Sequence, residues 1–146
     1  MISIVIPIYN EEANIEKLTE SILTALSDIE YEVLFINDGS TDNSEKEIQE
    51  KIKSHSHMKL INLRRNYGQT AAMQAGFDYS KGNIVIPMDG DLQNDPKDIP
   101  MLIEKINDGY DVVSGWRKIR SDKKLTRIIP SKIANMLISK ISGIHL

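Results

Sequence analysis

Two kinds of block alternate along the chain. The first is short, continuous and apolar: Ser3-Ile4-Val5-Ile6 stopped by Pro7, Val33-Leu34-Phe35-Ile36, Met58 to Leu63, Ile84-Val85-Ile86 and a brief Val112-Val113. Apolar runs of this length, without a polar alternate, predict strands buried on both faces of a sheet. The second kind repeats apolar residues at helical spacing: Ile15, Leu18, Ile22, Leu23 and Leu26; then Ile48 and Ile52; then Ile99, Leu102, Ile103 and Ile106. Ala71, Ala72, Ala75 and Gly76 predict a further helix packed closely through small residues. Ser40, Thr41 and Asp42 offer capping oxygens for the second helix, Asp95 and Pro96 start the fourth, and Gly109 ends it.

Strands spaced by helices predict an α/β fold, a mostly parallel sheet with helices on both faces. We read residues 1–146 as one domain, with no repeat, low-complexity tract or linker. Ligands of such sheets bind beyond the carboxyl ends of the strands. Chemistry is therefore expected just after Ile6, Ile36, Leu63, Ile86 and Val113.

Composition narrows the classes. The chain has 146 residues, 40% apolar and 27% charged, as a soluble globular domain would. It has no Cys, which excludes a disulfide framework and thiolate metal sites. No apolar run reaches the ~18 residues of a membrane span, and the first residues lack the basic flank of a signal peptide. Cytosolic exposure is the expectation. The charge is uneven: seven basic residues between Arg117 and Lys132 against Asp122 alone give that segment +6, leaving −9 on the rest of a chain whose net charge is −3. Such a block fits either an anionic partner, phosphate or membrane face, or a solvated loop.

The odd polar residues fall where ligands are expected. Pro7-Ile8-Tyr9-Asn10-Glu11-Glu12 follows the first strand, and its aromatic and acid can hold a nucleoside; Asn10 and Glu11 can equally cap the next helix. Asn37-Asp38-Gly39-Ser40-Thr41-Asp42 follows the second. A turn with positive φ at Gly39 accounts for most of it, but not for Asp38, a carboxylate ending an apolar strand. We expect Asp38 to contact the nucleoside, so that removing it weakens binding with little effect on stability. Met88-Asp89-Gly90-Asp91-Leu92-Gln93 follows the fourth strand and is the sharpest feature. Two carboxylates two residues apart repel unless a cation joins them, and a hard divalent ion takes oxygen ligands while keeping phosphate oxygens in its shell. Gly90 lets backbone approach a ligand. A polar turn before the next helix is the plainer alternative. No Gly-rich dinucleotide fingerprint or phosphate loop is present. His55 and His57 are read as surface residues.

Together these segments, with Arg65-Asn66-Tyr67-Gly68-Gln69 and Val113-Ser114-Gly115-Trp116-Arg117, resemble the family-2 inverting glycosyltransferases of the GT-A fold. Asp89-Gly90-Asp91-Leu92-Gln93 and the Gly115-Trp116-Arg117 segment resemble the polyprenyl-phosphate branch, which includes dolichyl-phosphate mannose synthase. The resemblance implies a nucleotide-sugar donor, UDP- or GDP-linked, a polyprenyl-phosphate acceptor, and Mg²⁺ or Mn²⁺. It implies that Pro7, Tyr9, Glu11, Ile36 and Asp38 hold the nucleoside, with Met88, Asp89 and Gly90 at the diphosphate. Asp91 and Gln93 match metal ligands beside Asp89, and Arg117 matches a residue on donor or acceptor phosphate, so that Asp89, Asp91 and Arg117 carry the catalysis. Asn94-Asp95-Pro96 departs mildly from the relatives' usual His-Pro-Pro or Asp-Pro-Pro.

Relatives continue past this length, so the chain reads as the N-terminal portion of a longer enzyme on the cytoplasmic face of the membrane. Ile133, Met136, Leu137 and Ile141 recur at helical spacing after Pro130, and with the basic segment predict contact with the membrane or the lipid phosphate; the alternative is a stripe packed on the sheet beside a solvated basic loop. A homo-oligomer is possible; nucleic acid is not expected. The competing readings are a sugar-1-phosphate nucleotidyltransferase, disfavoured by the Gly-free loop after the first strand, a glycosyltransferase with a saccharide or polymer acceptor, and a nucleotide-binding module without turnover.

Overall fold

The computed structural model describes residues 1–115. Met1–Val113 forms one compact unit. Its order is β1 (Ile2–Ile8), α1 (Ile15–Ala25), β2 (Tyr31–Asn37), α2 (Ser44–Ser54), β3 (Met58–Asn62), α3 (Gln69–Tyr79), β4 (Ile84–Pro87) and α4 (Ile99–Asn107), the last preceded by a 3-10 turn at Pro96–Asp98. The strands form one parallel sheet ordered β3-β2-β1-β4.

Strand periodicity decides which residue meets which helix. Ile2, Ile4, Ile6 and Ile8 of β1 join Val33 and Phe35 of β2 on one face, under Ile15, Leu18 and Ile22 of α1, Ile48 of α2 and Ile99 from the start of α4. Val5, Leu34 and Ile36 point the other way, onto Ala72 of α3. The helix can lie that close because Gly76 has no side chain: a Cβ there would run into Val5. Helices thus cover both faces, as the apolar runs required.

The same periodicity puts Ser3 and Glu32, paired across β1 and β2, on the α3 face at the amino-terminal end of the sheet. Glu32 is 3% exposed. Its carboxylate accepts from Ser3 Oγ at 2.8 Å, from Lys59 Nζ at 2.6 Å and from the Lys81 N–H at 2.7 Å. Ser3 Oγ in turn accepts from the Gly82 N–H at 2.8 Å. A buried carboxylate is tolerable when its oxygens are this fully used, and the cluster fastens the α3–β4 turn to the sheet.

Several expectations change. Val112-Val113 forms no strand, and Val112 is 84% exposed, so a fifth strand is absent among the described residues. Two residues offer too little ladder to fix a strand by themselves. The residue capping α2 is Asn43, with no side-chain cap; Asp42 accepts from the Ser44 N–H at 2.9 Å, while Ser40 and Thr41 serve another loop. Asp95 does cap, accepting from the Lys97 N–H at 3.0 Å, but it starts the 3-10 turn. His55 and His57 are half-buried rather than superficial. His57 lies edge-on to Tyr31 at 4.8 Å and its Nε2 has no partner among the described residues. Burial, then the neighbouring His55, depress its pKa. The helix read after Pro130 lies outside the described residues. No described helix is long and apolar enough to cross a membrane.

Burial alone would raise the Glu32 pKa, but hydrogen bonds from Lys59, Ser3 and Lys81 outweigh it and hold the carboxyl below its usual 4.5. A folded pKa below the unfolded one stabilises above the unfolded value and is lost as pH falls through the folded value. Glu32→Ala should cost on the order of 2–3 kcal/mol at pH 7, because it strands the Ser3 and Lys81 donors. In urea titrations the gap between variant and wild type should narrow as pH falls below 4.5. A gap independent of pH would assign the loss to packing.

Candidate nucleotide site

Four strand ends converge on one cleft of about 340 Å³, lined by Pro7, Ile8, Tyr9 and Glu11 after β1, Asp38 after β2, Asn66, Gly68 and Gln69 after β3, and Asp89, Gly90 and Asp91 after β4. The strand order reverses at β1, with β2 and β3 laid down on one side of it and β4 on the other. That is the switch point at which open α/β sheets bind ligands.

Asp38 has a role the sequence did not reveal. It continues β2 in phase with Leu34 and Ile36, so its side chain projects onto the α3 face. It is 3% exposed. Oδ1 accepts from the Tyr67 N–H at 2.7 Å and Oδ2 from the Gly68 N–H at 2.8 Å. The carboxylate therefore anchors the loop entering α3 as well as lining the cleft. Gly39, at φ +71°, completes the seat: a Cβ there would stand 2.6 Å from the Arg65–Asn66 backbone. Arg65 lies over the Tyr67 ring at 5.0 Å.

The loops after β1 and β2 are laced together. Asn10, at φ 58°, donates its N–H to Ser40 Oγ at 3.1 Å and accepts from the Thr41 N–H at 2.8 Å. The Glu11 N–H donates to Ser44 Oγ at 2.9 Å, and the Glu12 N–H to Asp42 Oδ2 at 3.1 Å. Asn10 thus bridges loops and does not cap α1, whose N-cap is Asn14. Tyr9, beside this latch, is 48% exposed at the cleft.

At the end of β4, Asp89 Oδ1 accepts from Gln69 Nε2 at 2.7 Å and Asp91 Oδ1 from the Gln93 N–H at 3.0 Å. Among the described residues the second oxygen of each carboxylate has no hydrogen bond. Leu92 follows in the left-handed region at φ 62°, where a branched side chain is strained. Its side chain packs on the core, which holds the turn that presents Asp91. Among the described residues no group of three or more acidic, His or Cys side chains is placed to hold a metal ion. Two carboxylates still suit a hard divalent ion that takes its remaining ligands from phosphate and water.

Of the residues expected at the site, Pro7, Tyr9, Glu11, Asp38, Asp89, Gly90 and Asp91 line this cleft. Ile36 and Met88 are core side chains, 0% and 4% exposed. Gln93 is exposed and meets Asp91 through its backbone; Arg117 lies outside the described residues. Asn66, Gly68 and Gln69 were given no individual role from sequence. Their signal was position alone, a polar run after the third strand.

The chain belongs to glycosyl transferase family 2, which its residues 3–144 match. It is 41% identical over 149 residues to a dodecaprenyl-phosphate galacturonate synthase of Rhizobium johnstonii, and 43% identical over 148 residues to an undecaprenyl-phosphate 4-deoxy-4-formamido-L-arabinose transferase of Shewanella sediminis. Each match takes in 99% of this chain and 44% of the relative, so the chain spans less than half the length of these curated relatives. The fold is shared with S. aureus TarS in complex with UDP, at 22% identity and TM-score 0.64 over 86% of this chain and 39% of that one. It is also shared with the mannosyltransferase PcManGT of Pyrobaculum calidifontis in complex with GDP-Man and Mn²⁺, at 23% identity and TM-score 0.57 over 62% and 27%. The sheet and helices are thus the GT-A arrangement that the resemblance implied.

The anchoring bonds change what Asp38 variants should do. Asp38→Ala leaves two backbone N–H groups unpaired and should lower stability by about 2–3 kcal/mol, against the small effect expected from sequence. Asp38→Asn keeps one acceptor and should fall between. Unchanged melting temperatures for both would return Asp38 to a purely ligand-facing role.

Proposed function

We propose that the protein containing this chain transfers a sugar from a nucleoside diphosphate-sugar to a polyprenyl phosphate, with inversion and with metal assistance. The observation that carries this reading is the meeting of four strand-end loops at one cleft, with two carboxylates that each keep an oxygen without a hydrogen bond among the described residues. The family match and the two polyprenyl-phosphate relatives support the reaction class and the acceptor.

In this reading Tyr9 and Pro7 flank the nucleoside, and Glu11 and Asp38 border it. The diphosphate lies along Asp89-Gly90-Asp91. Asp89 and Asp91, with Gln93 beside them, hold Mg²⁺ or Mn²⁺, which when bound offsets the charge that builds on the departing diphosphate. A phosphate oxygen of the acceptor attacks the anomeric carbon in line as the bond to the nucleoside diphosphate breaks. The acceptor is already an anion, so the step needs no general base, and the protein's contribution is positioning and electrostatic stabilisation. Arg117 and the basic segment around it are assigned to donor or acceptor phosphate, at the cytoplasmic face of a membrane.

Calorimetric titration of UDP and GDP into the chain should give binding that Mn²⁺ or Mg²⁺ strengthens and EDTA weakens to a residual level. Equal affinity with and without metal would remove the metal from the scheme. In the full-length protein, Asp91→Asn should reduce turnover by roughly a hundredfold or more, as removal of transition-state electrostatics does, with an unchanged melting temperature. Incubation with a labelled nucleotide-sugar and polyprenyl phosphate should move label into the organic phase. Nucleotide binding without any transfer would leave a binding module.

A further inference from the structure

Gln69 is the first residue of α3 and is exposed at the cleft. Its side-chain amide donates to Asp89 Oδ1 at 2.7 Å. From the other side, the Asp89 N–H donates to Asn94 Oδ1 at 3.2 Å. The carboxylate is thus held at backbone and side chain by two residues outside its own strand. We propose that Gln69 is a positioning residue, fixing the Asp89 carboxylate so that Oδ2 is presented to a diphosphate-bound divalent cation; this rests on the reading of the cleft given above.

Two features make the arrangement more than a surface contact. First, Gln69 is itself held. Its helix starts at Gly68, whose N–H is bound by the buried Asp38 carboxylate and whose carbonyl accepts from the Ala71 N–H at 3.0 Å and the Ala72 N–H at 3.1 Å. The fixed helix start sets the point from which the amide reaches Asp89, and only the side-chain torsions of Gln69 remain to be ordered. Second, Asp89 and Asp91 are like charges two residues apart, and without a restraint repulsion would turn one carboxylate away. A donor to one oxygen of Asp89 sets the ring of possible orientations to one while leaving the other oxygen for a cation. The path from Asp38 to Asp89 also ties the residue bordering the nucleoside to the carboxylate at the diphosphate through one loop and one side chain.

The test is nucleotide affinity of the intact chain in Mn²⁺ and in EDTA. Removing a group that orients a metal-binding side chain costs roughly ten- to a hundredfold in affinity for the metal-bound ligand. Gln69→Ala should therefore weaken Mn²⁺-supported binding of UDP or GDP by about tenfold or more, leave residual binding in EDTA unchanged, and keep the wild-type melting temperature. Gln69→Asn, one methylene too short to reach, should behave the same way. Gln74→Ala is the matched control: Gln74 makes an equivalent bond to Asp78 at 2.8 Å on the same helix, and its loss should leave every affinity unchanged. Wild-type affinity in both Gln69 variants, or an equal loss in Mn²⁺ and in EDTA, would overturn the positioning role. Failure of the wild-type chain to bind either nucleotide in Mn²⁺ would instead overturn the functional reading beneath it.

Discussion

The cleft depends on one buried carboxylate. Asp38 ends β2 on the α3 face and spends both oxygens on the N–H groups of Tyr67 and Gly68. A charge so deep costs several kcal/mol unless its hydrogen bonds are made, and the two N–H groups are equally costly without it. Each therefore fixes the other. The consequence is a loop with little freedom where a β3–α3 connection would otherwise be mobile. That loop starts α3, and through Gln69 it sets the direction of Asp89.

The opposite wall is built by reciprocity between two loops rather than by one anchor. Asn10, Ser40 and Thr41 exchange hydrogen bonds across the β1 and β2 ends, and Glu12 with Asp42 and Asn43 repeats the pattern one step further out. The Asp42 carboxyl is partly desolvated, yet the Ser44 and Glu12 donors hold its pKa below the usual value. These bonds are exposed, and each contributes little singly. Their effect is geometric: they hold Asn10 at positive φ and fix the backbone that carries Tyr9 at the cleft.

Much of this was legible beforehand. Buried parallel strands announce themselves as apolar runs, and the helix stripes at Ile15 to Leu26 and Ile99 to Ile106 matched what formed. The Asp89-Gly90-Asp91 turn could be placed because ligands of such sheets meet strand ends. The misreadings have a common cause. Asn10, Ser40 and Thr41 were assigned by local rules, as helix caps, whereas their partners lie about 30 residues away, as do the two N–H groups that Asp38 anchors while lining the cleft. A cap is visible in sequence because donor and acceptor are neighbours; a bond between loops needs the sheet order first. Ile36 and Met88 came from resemblance alone, and strand parity sends both side chains into the core.

The two ends of the sheet show why polar residues in similar apolar strands read so differently. On the α3 face, parity places Ser3 and Glu32 at the amino end, and Asp38 and Asp89 at the carboxyl end. Glu32 is satisfied from within by Lys59, Ser3 and Lys81. Lys59 supplies a cation, and the cluster closes with no role left for a ligand. At the carboxyl end, Asp38 is closed in the same way but by neutral N–H groups, and among the described residues Asp89 and Asp91 are closed only by half. No Lys or Arg among the described residues forms an ion pair with either. Among the described residues, then, the buried acid at one end is neutralised and the two carboxylates at the other meet no cation. An unneutralised pair this close favours whatever brings positive charge, and a diphosphate can share a divalent ion with it. That asymmetry, rather than the presence of acidic residues as such, separates the acid that stabilises this domain from the acids assigned to its chemistry.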